Sequence, residues 1–144
     1  MEVWLSPHLG FDFPNAKARL YGTGENKVSW ISLADVARFV VEVVNNARAR
    51  KKIIELGGPQ ALSPIEVVRL FEELGSRKFE ISHVSEEDLR AQRAAATDPM
   101  QQTFAGLMLA CAKGDPIDMS GVLGTFPITM TRVSDYAKRV LGKS

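Results

Sequence analysis

Few side chains in this sequence can move a proton or attack an electrophile, and they are thinly spread. There are two histidines, His8 and His83, and one cysteine, Cys111. A zinc site needs about four converging ligands, so this set cannot form one. His83 could act as a general base, but it stands alone on an alternating apolar stretch, where a partly buried structural role is the simpler reading. His8, beside Ser6 and Pro7, falls in a loop. Cys111 has Leu107 and Met108 for neighbours and no adjacent base to lower its pKa, which suits a core residue better than a nucleophile. The carboxylates Glu86, Glu87 and Asp88 open a helix, where the dipole accounts for them. No GxSxG, HExxH, EF-hand or Tyr-x-x-x-Lys pattern occurs. Gly22-Thr-Gly24 runs toward a strand, whereas a dinucleotide fingerprint opens a helix. Gly57-Gly58-Pro59 is better placed for an anion, but no P-loop lysine follows, and a tight connection explains it.

Composition narrows the rest. The chain has 144 residues, 45% hydrophobic and 24% charged, as expected for one globular domain over 1–144. Eighteen basic residues against 17 acidic give +1, so there is no electrostatic drive toward nucleic acid or anionic lipid. No apolar run is long enough for a membrane span, and Met1 leads into Glu2 without a basic leader. A lone cysteine suits a reducing, cytoplasmic setting.

The elements that must position these residues read as α/β. Residues 1–17 form an irregular apolar segment carrying Val3, Trp4, Leu5, Leu9, Phe11 and Phe13, broken by Pro7, Gly10 and Pro14, which either covers this domain's own core or is the cut end of a longer chain. Short strands are expected at about 18–22, 27–31, 52–57 and 78–84, the first two joined most simply as a hairpin through GTGEN and otherwise by a crossing loop. About five helices follow. Four have capping signals: Ser32 with Asp35, Ser63 with Glu66, Ser85 with Asp88, and Asp98 with Gln101. Pro64 and Pro99 occupy first helical positions. Leu33, Val36, Ala37, Val40, Val41 and Val44 make one stripe on the first helix, and the basic run Arg48 to Lys52 follows its end as a solvated patch. The second helix is expected to stop at Gly75 as a left-handed cap. Phe104, Leu107, Met108 and Cys111 share a face after Pro99, and a last helix over about 132–141 closes at Gly142.

Four stretches carry a wider likeness: MEVWLSP, KVSWISLADVARFV, ELGGPQALSPIEVVRLFEE, and ISHVSEEDLRAQ with ATDPMQQTFAGLML. Read together, residues 1–142 resemble the C-terminal, substrate-binding side of NmrA-like proteins, atypical short-chain dehydrogenase/reductases that bind NAD(P) on a Rossmann domain. The resemblance implies a truncated α/β unit without the GxxGxxG turn and most of the parallel sheet. It implies no catalytic, cofactor-binding or metal-binding residue of its own, with NAD(P) relevant only if another chain completes the protein.

The expectation is therefore a non-catalytic binding module. Trp4, His8, Phe11, Trp30, His83 and Met108 are candidates to line a pocket for a small apolar or aromatic ligand. Val3, Trp4, Leu5 and Phe13, bared where the resemblance implies a missing half, are candidates for self-association into a homodimer. The alternative is the substrate half of an NAD(P)-dependent oxidoreductase completed by a separate Rossmann chain.

Overall fold

The computed structural model of the chain describes residues 1–143. Helices begin where side-chain oxygens can cap them. Ser32, Ser63 and Ser85 accept the backbone N–H of Asp35, Glu66 and Asp88 at 3.0, 3.2 and 3.0 Å. Helices α1 (Leu33–Asn45), α2 (Pro64–Gly75) and α3 (Glu86–Ala95) follow. Glu66 completes a reciprocal box by accepting the Ser63 N–H at 2.6 Å. Asp98 caps α4 (Pro99–Lys113) through the Met100 N–H rather than through Gln101. Helix α6 (Val133–Val140) is followed by Gly142 at φ 65°. Between α4 and α6 lies an unexpected α5 (Ser120–Thr125), which has no side-chain cap to announce it.

Gly75 is not the left-handed cap. It stays in α2, and Ser76 takes φ 51°. The Ser76 and Arg77 N–H groups then close on the carbonyls of Glu73 and Glu72, a Schellman arrangement.

The strand expected at 18–22 forms at full length, those at 27–31 and 78–84 are shorter, and the pairing differs from a hairpin. β1 (Phe11–Asp12) is antiparallel to β2 (Lys17–Tyr21), which runs parallel to β5 (Glu80–Val84) from Lys17↔Glu80 to Tyr21↔Val84. β3 (Val28–Ser29) instead pairs with β4 (Ala61–Leu62) in a second sheet. GTGEN is therefore the crossing loop and not a hairpin. Its glycines take left-handed φ of 68° and 75°, and Gly24 O accepts the Ile65 N–H at 3.0 Å.

No strand forms over 52–57. Gly57 instead presses against the side chains of Ser29 and Ile117, and Gly58 against the backbone of Trp30, where a Cβ would lie 1.8 Å from the Trp30 carbonyl oxygen. β5 forms, but its first four residues are exposed rather than alternating, because it lies at the edge of its sheet with β2 as its partner.

Two apolar clusters hold the elements. The larger joins Leu5, Phe11, Leu20 and Trp30 to Val68 and Phe71 of α2 and Tyr136 and Ala137 of α6. The smaller gathers Phe39, Ala49, Met119 and Phe126. The first 17 residues thus largely cover this chain's own core, the first of the two expected arrangements, and are not left bare. Leu5 and Phe11 are buried, Trp4 and Phe13 pack against the same cluster, and the Phe11 and Phe71 rings meet edge-on at 4.9 Å. Val3 alone of the proposed self-association residues is exposed.

Two helix faces also turn other than expected. On α1 the residues fully buried are Asp35 and Phe39, so the Leu33, Val40, Val41 and Val44 stripe faces outward. On α4 the buried side is Ala105, Met108 and Ala112, with Phe104 and Leu107 partly exposed and Cys111 half-buried. Among the described residues no helix is long and apolar enough to cross a membrane.

Candidate functional site

A cavity of about 380 Å³ lies where the two clusters meet. The N-terminal segment supplies Trp4, Leu5 and Leu9, β1 supplies Phe11, and β2 supplies Arg19, Leu20 and Tyr21. Trp30, just after β3, forms a further wall with Leu56 and Ile117. Helix α4 closes the opposite side with Leu107, Ala110 and Cys111, whose spacing of three and four residues places them on one helical face.

The walls are fixed by contacts that leave the cavity apolar. Trp30 donates its indole N–H to Leu62 O at 2.8 Å, so the polar edge of the ring is occupied by β4. The segment after α4 is stitched to β3: Asp115 N–H donates to Lys27 O at 2.8 Å, Ile117 N–H to Ser29 Oγ at 2.9 Å, and Asn26 Nδ2 to Ala112 O at 2.7 Å. Gly114 makes this approach possible, with φ 80° and a Cβ position only 2.6 Å from Lys27 O. Gly57 has the same role opposite, squeezed between Ser29 and Ile117. The glycine pair thus serves close packing.

Polar chemistry in the lining is sparse. Arg19, Tyr21, Ser29, Cys111 and Asp115 provide it among the aromatic and aliphatic walls. Burial pushes the Tyr21 hydroxyl above its ordinary value, opposed in part by the Arg19 guanidinium, so it stays a neutral donor. Burial also raises the Cys111 thiol, and the nearby Asp115 carboxylate adds to the effect. A thiol held protonated is a poor nucleophile. The set can orient a flat apolar molecule and offer it a few hydrogen bonds.

The cavity brings together Trp4, Phe11 and Trp30 of the six expected pocket residues. The other three lie outside its lining. Met108 is fully buried on the neighbouring face of α4, with Ala105 and Ala112. His8 is exposed in a 3-10 turn, and His83 is exposed on β5 with Nδ1 3.1 Å from Gly22 O. Arg19, Tyr21 and Asp115 escaped the sequence reading because nothing in their spacing marks a chemical role. The helical stripe containing Leu107 and Cys111 was the visible signal for the α4 wall.

The glycine turns do not fit a dinucleotide. Gly22-Thr-Gly24 leads toward β3, the face of Gly58 is filled by the Trp30 backbone, and α1, α2, α3 and α4 have side-chain caps on their first turns. A pyrophosphate needs free N–H groups at a glycine-lined helix start. Among the described residues no group of three or more His, Cys, Asp or Glu is arranged to hold a metal ion.

Comparison with known proteins places this architecture. No family model matches the chain. The bifunctional pinoresinol-lariciresinol reductase of Sinopodophyllum hexandrum is 28% identical over 132 residues, 85% of this chain and 42% of that one. The NAD(P)H azoreductase of Xenophilus azovorans is 30% identical over 105 residues, covering 72% of this chain and 36% of its own. Among solved structures, an NADPH-dependent quinone oxidoreductase of Escherichia coli superposes with a TM-score of 0.73 at 18% identity, over 96% of this chain and 51% of that one. The chain thus spans about half, or less, of the length of these proteins. It is an α/β relative of the NmrA-like NAD(P)-dependent reductases, matching a part of them and not the whole.

Proposed function

We propose that the chain is a small-molecule-binding module whose ligand is a flat, apolar, aromatic compound held in the cavity between Trp4, Phe11, Trp30 and the Leu107–Cys111 face of α4. The cavity carries the reading: about 380 Å³ of mostly apolar space with a few polar groups is the ordinary form of a small-ligand site. The names of the relatives point the same way, since azo compounds and quinones are conjugated and pinoresinol carries two aromatic rings on a saturated core. The binding step alone needs no cofactor, and Arg19, Tyr21, Ser29 and Asp115 supply the hydrogen-bonding groups that would orient the bound molecule.

Trp4 and Trp30 make the test direct. Azobenzene and pinoresinol, titrated separately, should quench tryptophan fluorescence saturably with at least one of the two. Ala110→Trp, which fills the cavity from α4, should abolish that saturation. Linear quenching by both compounds, or saturation unchanged in the variant, overturns the proposal.

A second reading is favoured by one observation, the chain's span of about half of its reductase relatives. On that reading the same cavity is the substrate side of an NAD(P)H-dependent reductase, and another polypeptide segment supplies the nucleotide site. Reduction of azobenzene by NADPH in the presence of such a segment, lost in Ala110→Trp, would establish it.

A further inference from the structure

Arg19 is exposed yet lines the cavity, so its side chain forms part of the rim. It projects from β2, the central strand of its sheet, with its N–H donated to Gly10 O at 2.8 Å. Its stem lies across Gly10, where a Cβ would come within 2.8 Å of Arg19 Cβ and 3.7 Å of Cγ and Cδ. Lys17, Arg19 and Tyr21 alternate onto one face of β2. Across the ladder Lys17 meets Glu80, which pairs with it at 3.2 Å. Arg19 meets Ser82 and Tyr21 meets Val84, neither of them charged. Among the described residues no carboxylate forms an ion pair with Arg19. The lining holds one other charged group, Asp115, in the segment after α4. A flat molecule filling the cavity strips water from this guanidinium, and hydrogen bonds to an anion are what replace that water best.

Given that the cavity is a small-ligand site, we propose that its ligand is an aromatic carboxylate and that Arg19 selects it by holding the acid group at the β2 rim. The planar fork of a guanidinium matches a planar carboxylate, which stays in the plane of the flat rings behind it. Tyr21 stands beside Arg19 on the same face of the strand, and its hydroxyl, kept neutral by burial, is a second donor for the same group. The Tyr21 ring is backed edge-on by Phe104 of α4, with centroids 6.5 Å apart. Asp115, beside Cys111 and not paired with Arg19, repels an acid. The two charges of the lining therefore set a direction, with the acid drawn to β2 and the rings lying between Trp30 and α4.

Azobenzene-4-carboxylate and azobenzene-4-carboxamide share a shape and differ in charge, and tryptophan quenching at neutral pH reads the affinity of each. The carboxylate should bind about tenfold tighter, the lower end of what a hydrogen bond to a charged group contributes. Arg19→Gln should weaken the carboxylate about tenfold and leave the carboxamide unchanged, while Arg19→Lys should keep part of the preference. Lys17→Gln removes an equal charge from the same face outside the lining and should leave the preference intact. Saturable binding of both compounds with equal affinity overturns the selection and leaves the cavity as a site for neutral ligands. No saturation by either overturns it too, and azobenzene itself then tells whether the cavity binds aromatic molecules at all. A preference that survives Arg19→Gln, or that Lys17→Gln also removes, belongs to the general field of the surface and overturns the role of Arg19. An equal loss for both compounds in Arg19→Gln overturns it as well, since Arg19 then acts by stacking or by shaping the rim.

Discussion

Both carboxylate oxygens of Asp35 are committed to Thr131, 96 positions further along the chain: Oδ2 accepts its backbone N–H at 2.8 Å and Oδ1 its hydroxyl at 3.2 Å. Arg38 donates to Oδ1 at 3.1 Å and to Thr129 O at 3.2 Å, so a fully buried charge is paired and hydrogen-bonded. This cluster fastens the start of α1 to the segment that leads into α6. Asp35→Ala strips the acceptors from a half-buried N–H and hydroxyl and should cost about 2 kcal/mol. Asp35→Asn, which keeps one acceptor oxygen, should cost less. Urea unfolding of the two variants checks the order, and equal losses would mean that the charge contributes nothing.

Removing the oxygen that starts α2 should have a smaller effect. Ser63→Ala should destabilise the chain by about 1 kcal/mol, the usual consequence of deleting an N-cap acceptor. An unchanged urea midpoint would show that the reciprocal box with Glu66 is not a source of stability.

At Gly58 the substitution is steric. An added methyl would lie 1.8 Å from Trp30 O and 2.5 Å from its carbonyl carbon, both backbone atoms with little room to yield. Gly58→Ala should therefore cost at least about 3 kcal/mol, as overpacking without a flexible neighbour does. Gly121→Ala, where nothing lies within 4 Å, is the matched control in a thermal melt and should differ little from the parent protein.

Acid should weaken the fold through specific carboxylates. The Phe79 N–H, at 2.8 Å, and then Lys78 hold Glu72 below its ordinary value of 4.5. Glu2 is also lowered: burial pushes it up, but hydrogen bonds, the Leu33 N–H foremost, and the N-terminal ammonium outweigh that. Groups depressed by folding stabilise it fully above their unfolded values and lose that contribution as pH falls through their folded ones. Stability should therefore decline below about pH 4.5 and be flat, as far as these groups are concerned, between 5 and 7. Glu72→Gln should lower stability at neutral pH and flatten the acid slope, both readable from urea midpoints against pH.

Calorimetric titration of the chain alone with NADPH should give no low-micromolar binding, because neither glycine turn presents free N–H groups at a helix start. Tight binding would show that another surface holds the nucleotide.

What the sequence disclosed was local. Ser32, Ser63 and Ser85 announce helices because a cap is satisfied by residues three positions apart. The aromatic residues Trp4, Phe11 and Trp30 were legible as cavity walls because large apolar side chains must be covered by something. What was hidden depends on distant partners. The outward face of α1 is decided by Asp35 meeting Thr131, and the absent strand at 52–57 by the contact of Gly58 with Trp30. Neither pairing leaves a periodic trace. Arg19 and Tyr21 were invisible for a related reason, since they border the cavity only once α4 lies across from β2.

The parallel pairing of β2 with β5 has a kinetic consequence. Lys17 and Glu80 are more than sixty residues apart, and α1 and α2 lie between them. Closing so long a loop carries an entropic penalty before the ladder returns any hydrogen bonds. Capped helices and the sequence-adjacent α3–α4 pair can form without it. The central sheet is therefore a late event in folding, and the cavity wall that β2 provides is completed only when the chain's two ends of this long loop have met.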